Sequence, residues 1–220
     1  MEIAGSVDLE QALTDLAAER PVFHSEADLQ LALAWQFQTQ DPRMRVRLET
    51  RPEAGVHLDI ACSRPDLGRF TAIEVKYLTK EWSGKVNGEL FDLKNHGAQD
   101  IRGYDVVKDI YRVERFIAGH SGSDGAAIVL SNDPSYWKTR TTRRDATNAE
   151  AFRLNEGVVL SGLRDWGPKT GAGTRKNREE ALILLGSYNM RWRDFATVGT
   201  GSSVTQLRVL IVPVSSGLSN

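Results

Sequence analysis

Cysteine is nearly absent from this 220-residue chain. Cys62 stands alone, which excludes an intramolecular disulfide framework and argues against a cysteine-based zinc site. Long hydrophobic runs are missing too. No stretch approaches the roughly 20 apolar residues that a membrane-spanning helix needs. The first residues carry no basic segment followed by an apolar one, so neither a membrane span nor a secretory leader is expected. Charge of one sign is not in excess: 28 Lys and Arg face 29 Asp and Glu, a net charge of −1, so any nucleic-acid contact must come from local charge. Internal repeats and low-complexity tracts are lacking. The expectation is a soluble, cytoplasmic protein with no membrane partner. Cys62 has no base beside it, with His57 five positions away, and reads as a small core thiol rather than a nucleophile.

What is present fits an ordinary globular protein: 40% hydrophobic and 26% charged residues, with enough length to bury a core. One domain is expected over residues 1–220, with a helical extension at 1–20 and a C-terminal elaboration at 136–220. Leu9, Leu13, Leu16 and Ala17 predict a helix over 7–19 that Pro21 ends. Ser25 reads as the N-cap of a second helix carrying Leu29, Leu33 and Phe37, with Asp28 in a capping-box-like position. Alternation at 45–49 and β-branched runs at 56–61 and 70–77 predict three strands in a meander. Residues 80–98 read as a hairpin excursion or a loop over the sheet, 101–118 as a helix, and 126–130 as a strand buried on both faces. Along the helix at 101–118, Lys108, Asp109, Arg112 and Glu114 read as a solvated, salt-bridged stripe. Further strands are expected at 181–185 and 207–214, while Tyr188, Trp192 and Phe195 have the spacing of a packed helical face. Tyr136 and Trp137 are expected to cover a core edge rather than to stack on bases.

Two strands carry charge where apolar residues are the rule. Asp59 lies in the run at 56–61, and Glu74 and Lys76 lie in the run at 70–77. Side chains alternate faces along a strand, so Glu74 and Lys76 share a side while Ile73, Val75 and Tyr77 share the other. A buried carboxylate or ammonium is costly unless paired or bound to a metal. A hard cation such as Mg²⁺ favours carboxylate oxygens and keeps positions open for water and phosphate, and a nearby lysine stabilises charge developing on phosphorus.

In order and spacing, Asp59 and Glu74-Val75-Lys76 resemble the signature of the restriction-endonuclease-like superfamily, the PD-(D/E)XK nucleases. The resemblance spans roughly residues 20–135. It implies an α/β fold whose core is a central mixed β-sheet flanked by helices in the order α-β-β-β-α-β, here with extra C-terminal strands. It implies that Asp59 and Glu74 bind Mg²⁺, with Mn²⁺ as a substitute, that Lys76 positions water or stabilises charge, and that Glu26 on the preceding helix assists. Leu58 stands where the signature often has proline, and Gln99 and Tyr104 are five apart rather than in the Gln-x-x-x-Tyr spacing of some members.

A divalent-metal-dependent nuclease acting on DNA rather than RNA is the expected function, working as a homodimer or with a partner protein. Its rivals are a catalytically inactive nucleic-acid-binding or assembly module of the same fold, and an α/β protein in which Glu74 and Lys76 form a salt bridge on an exposed strand. Basic clusters at 139–144, with Arg140, Arg143 and Arg144, and at 169–176, with Lys169, Arg175 and Lys176, suit phosphate oxygens or solvated loops equally. The second lacks the order of residues of a nucleotide-binding P-loop.

Overall fold

The computed structural model describes residues 1–139 and 147–215. The chain opens with a short antiparallel pair, β1 (Glu2–Ile3) and β2 (Val7–Asp8), which the sequence reading did not include. Two helices follow, α1 (Leu9–Glu19) and α2 (Glu26–Gln40). Asp8 caps α1 by accepting from the Gln11 amide, and Ser25 caps α2 by accepting from the Asp28 amide at 3.2 Å. Asp28 in turn accepts from the His24 amide at 3.0 Å, which sets where α2 begins. Next come β3 (Arg45–Thr50), β4 (Leu58–Arg64), β5 (Arg69–Leu78) and a hairpin of β6 (Trp82–Val86) and β7 (Glu89–Leu93). The hairpin turns at Asn87 and Gly88, both with positive φ, as a two-residue turn between twisted strands requires.

The long helix α3 (Gln99–Ala118) leads into β8 (Ser123–Ser131). The C-terminal part adds β9 (Val159–Arg164), a single turn α4 (Ala172–Arg175), β10 (Leu182–Asn189), β11 (Trp192–Val198) and β12 (Thr205–Ser215). Six strands form one mixed sheet in the order β11-β12-β8-β5-β4-β3. Only β5 and β8 run parallel, a pairing that α3 makes possible as the crossover.

Each face of the sheet has its own core. Ile60, Ile73, Val75, Tyr77 and Ile128 pack under α1 and α2. Ala72, Leu78, Ala127, Val129 and Leu210 pack under α3. The helix comes close because Gly125 on β8 has no side chain: a Cβ there would lie 2.3 Å from Val113 Cγ1 and 2.8 Å from the Ala72 carbonyl oxygen. The antiparallel pair β9–β10 covers the far side of α3.

That cover corrects two expectations. Tyr188 and Trp192 do not share a helix: they lie on β10 and β11, as does Phe195, and β10 alternates buried Leu182, Leu184 and Tyr188 with exposed Ile183 and Leu185. The charges of α3 are not a solvated stripe, because Asp109 is buried beside Lys76 of β5 and Glu114 is buried against β10. Cys62, Tyr136 and Trp137 are buried in the cores, as expected of them. Burial pushes the Cys62 thiol up to about 12.

Glu114 ties the two layers together. Its carboxylate accepts from the Leu185 and Gly186 amides at 3.0 and 2.7 Å and from the Tyr188 hydroxyl at 2.6 Å, at the irregularity in β10. Glu114→Ala would leave two amides and a hydroxyl without a partner and is expected to lower stability by about 3 kcal/mol. Tyr188→Phe, which removes one donor, is expected to cost about 1 kcal/mol. Chemical denaturation of both variants checks this order.

Candidate active site

The ladder between β4 and β5 ends at the pair Ile60↔Ile73. Beyond it the strands separate, so the amides of Val75 and Tyr77 face a gap where a neighbouring strand would have supplied carbonyls. Two carboxylates fill the gap. Asp59 Oδ2 accepts from the Val75 amide at 2.7 Å, and Glu26 Oε2 accepts from the Tyr77 amide at 2.9 Å. Glu26 reaches this edge because the Ser25 cap places it in the first turn of α2. Asp59 and Glu26 are thus held by backbone and not by chance rotamers.

Glu74 and Lys76 project from β5 toward α3, where Asp109 and Arg112 meet them. Lys76 Nζ lies 3.1 Å from Asp109 Oδ2, 3.8 Å from Asp59 Oδ2 and 3.8 Å from Glu26 Oε1. Arg112 donates to Glu74 Oε1 at 2.7 Å and to Asp109 Oδ1 at 3.2 Å, and also to the His57 carbonyl. Glu26, Asp59 and Asp109 thus gather around the Lys76 ammonium, and Glu74 joins them through Arg112, which also pairs with Asp109. Glu74 is only 2% exposed, so the strand is not the exposed one of the salt-bridge rival.

The electrostatics are unbalanced. Four carboxylates, Glu26, Asp59, Glu74 and Asp109, face two cations, Lys76 and Arg112. Burial raises the Glu74 carboxyl to about 9, aided by Asp109 and Asp59, and this outweighs the opposing Arg112 and Lys76. Burial likewise raises Asp109 to about 6, against the pull of Lys76 and Arg112. For Lys76, burial works downward, but Asp109, Glu26 and Asp59 together lift it above the ordinary lysine value. At neutral pH it is an ammonium, suited to stabilising negative charge rather than to accepting a proton. Asp109 Oδ2 is buried without an aligned hydrogen bond: Lys76 offers it an ion pair only. Asp59 Oδ1 and Glu74 Oε2 make no hydrogen bond among the described residues.

Comparison of the chain with protein-family models, with curated proteins and with solved structures finds no match. Its chemistry must be read from the residues themselves. A cleft of about 500 Å³ opens beside the cluster, lined by Glu26, Lys76, Thr79, Lys94, His96 and Arg102. A larger concavity of about 770 Å³ lies between the first turn of α3 and residues 135–139 and 147–155 and includes none of the four carboxylates. Gln99 borders that second concavity and donates to Asp133, so it stands apart from the cluster. Of the basic clusters, residues 140–146 lie outside the described residues, and 169–176 form the surface turn around α4. Asp109 and Arg112 are the site residues that sequence reasoning missed. Their signal was a carboxylate and a guanidinium one helical turn apart on a helix that follows the Glu-x-Lys strand.

The raised Glu74 pKa carries a sign for stability. The folded state holds a proton on Glu74 up to about pH 9, whereas the unfolded chain releases it near 4.5. Stability from this group is complete below the lower value and falls as pH rises through the higher one. Metal-free protein is therefore expected to lose thermal stability steadily from pH 5 to pH 9, and Glu74→Gln to flatten that decline. Melting curves across this range, compared between the two proteins, provide the check.

Proposed function

We propose that the chain is a divalent-metal-dependent nuclease with a restriction-endonuclease-like core, hydrolysing phosphodiester bonds of DNA in preference to RNA. The observation that carries this reading is the gathering of Glu26, Asp59 and Asp109 around the Lys76 ammonium, with Glu74 joined to them through Arg112 and carboxylates in excess of cations. The order α2-β3-β4-β5-α3-β8 supports it, since it matches the α-β-β-β-α-β order of the superfamily with the β6–β7 hairpin inserted. Residues 1–20 and 136–220 would then elaborate a single domain, in a cytoplasmic protein.

The donor set fits a hard divalent ion. Asp59 and Glu74 would hold it through oxygens that no donor among the described residues engages, and its charge would offset the burial and the carboxylate repulsion that raise the Glu74 pKa. When bound, Mg²⁺ or Mn²⁺ lowers the pKa of water and polarises a phosphate oxygen. Lys76, fixed as an ammonium by Asp109, Asp59 and Glu26, would stabilise the charge that accumulates on phosphorus as water attacks in line. The bond from phosphorus to water oxygen forms as the bond to the leaving ester oxygen breaks. Asp109 and Arg112 would position Lys76 and Glu74 without touching the substrate. Lys94 and Arg102, along the adjoining cleft, would take backbone phosphates. Double-strand cleavage would call for a second copy or a partner protein.

Supercoiled plasmid and single-stranded DNA, incubated with purified protein in Mg²⁺, Mn²⁺ or EDTA, test the proposal. Cutting is expected with either metal and not in EDTA, reduced by at least ~100-fold in Asp59→Asn, Glu74→Gln and Lys76→Met. Cutting that survives EDTA or the first two substitutions would overturn the metal site. DNA binding with no cutting under any condition would instead establish the inactive module.

A further inference from the structure

We propose that Glu49, His57 and Asp59 form a second cation site, one that takes a first-row transition ion in preference to Mg²⁺. Glu49 lies on β3 directly across from Asp59, between the paired residues Leu48↔Ile60 and Thr50↔Leu58. His57 precedes β4 by one residue. The three side chains bring their ligand atoms within 4.8 Å of one another, and no other trio of His, Cys, Asp or Glu among the described residues does so.

The spacing accommodates a shared ion. His57 Nε2 lies 2.9 Å from Glu49 Oε2. Ligand atoms bound at about 2.1 Å in adjacent positions of one octahedral ion sit about 3 Å apart. Both side chains are about half exposed, 40% for His57 and 56% for Glu49, so as an ion pair they add little stability, while an ion and its waters can reach them from solvent. Asp59 completes the set. Its Oδ2 is engaged by the Val75 amide, and its Oδ1 has no hydrogen bond among the described residues.

The donors decide the metal. An imidazole nitrogen favours Mn²⁺, Fe²⁺, Co²⁺ or Zn²⁺ over the all-oxygen preference of Mg²⁺ and Ca²⁺. Three protein ligands leave at least one coordination position for water or phosphate. Asp59 would bridge this ion and the one beside Glu74, and the inference rests on the nuclease reading only for that bridging role.

Mn²⁺ titration of the full chain, with free ion counted by its electron paramagnetic resonance signal, tests the site directly. Wild-type protein is expected to bind two ions. His57→Gln and Glu49→Gln are expected to bind one, with affinity for the other lowered at least ~tenfold. Glu74→Gln should keep the His57-dependent ion, and excess Mg²⁺ should displace only the ion beside Glu74. Equal stoichiometry and affinity in wild type, His57→Gln and Glu49→Gln would overturn the second site while leaving the first intact. Loss in the His57 variant with no change in Glu74→Gln would uphold the second site and remove Glu74 as a ligand of the first. Melting curves of His57→Gln and Glu49→Gln, whose substituted side chains are partly exposed, and of the buried Glu74→Gln confirm that each is folded.

Discussion

The unpaired edge of β5 is the constraint from which the site follows. Buried amides must be satisfied, and once β4 departs after Ile60 the Val75 and Tyr77 amides have no strand to meet. Asp59 and Glu26 answer with side-chain oxygens instead of carbonyls. Each carboxylate is thereby fixed by a hydrogen bond to the same short stretch of backbone that presents Glu74 and Lys76. The strand break, the α2 cap and the carboxylate cluster are one arrangement. Regular pairing of β4 with β5 to the end of both strands would bury the edge and leave Asp59 no amide to accept from.

Charge balance gives this arrangement its chemical direction. A structural ion-pair network would match its charges, whereas here two cations face four carboxylates, and the least exposed of them, Glu74, holds its proton well above its ordinary range. Such a carboxylate destabilises the fold as it ionises. Its retention at a cleft, next to an ammonium that cannot readily lose its proton, fits a group kept for binding a cation. Arg112, paired with Glu74 and with Asp109, offsets part of the carboxylate charge, and Asp109 holds Lys76 in place. Gly125 on β8 lets α3 close enough for both to reach.

The parts of this picture that were legible in the amino-acid sequence are those set by local pattern. The strands around Asp59 and Glu74, the Ser25 cap and the helix following β5 each follow from periodicity or capping within a dozen residues. Asp109 and Arg112 escaped because helical charges reveal nothing of what covers them. Asp109 reads as solvent-facing until its face of α3 is known to lie on β5 beside Lys76, and Glu114 does so until β10, far later in the chain, is known to cover it. The strand β9 was missed and Tyr188 was assigned to a helix for the same reason. Four consecutive apolar residues, Leu182 to Leu185, hide the alternation of β10 in the sequence, and the aromatics happen to recur at helical spacing. Likewise, Glu49 and His57 are unremarkable in sequence. The β3–β4 register alone brings them to Asp59.

Diffraction from crystals soaked in Mn²⁺, with an anomalous difference map calculated at the manganese edge, addresses the central claim most directly. The account predicts a peak between the Asp59 and Glu74 carboxylates, with Arg112 still paired to Glu74 Oε1. A well-diffracting soaked crystal with no peak there would contradict it.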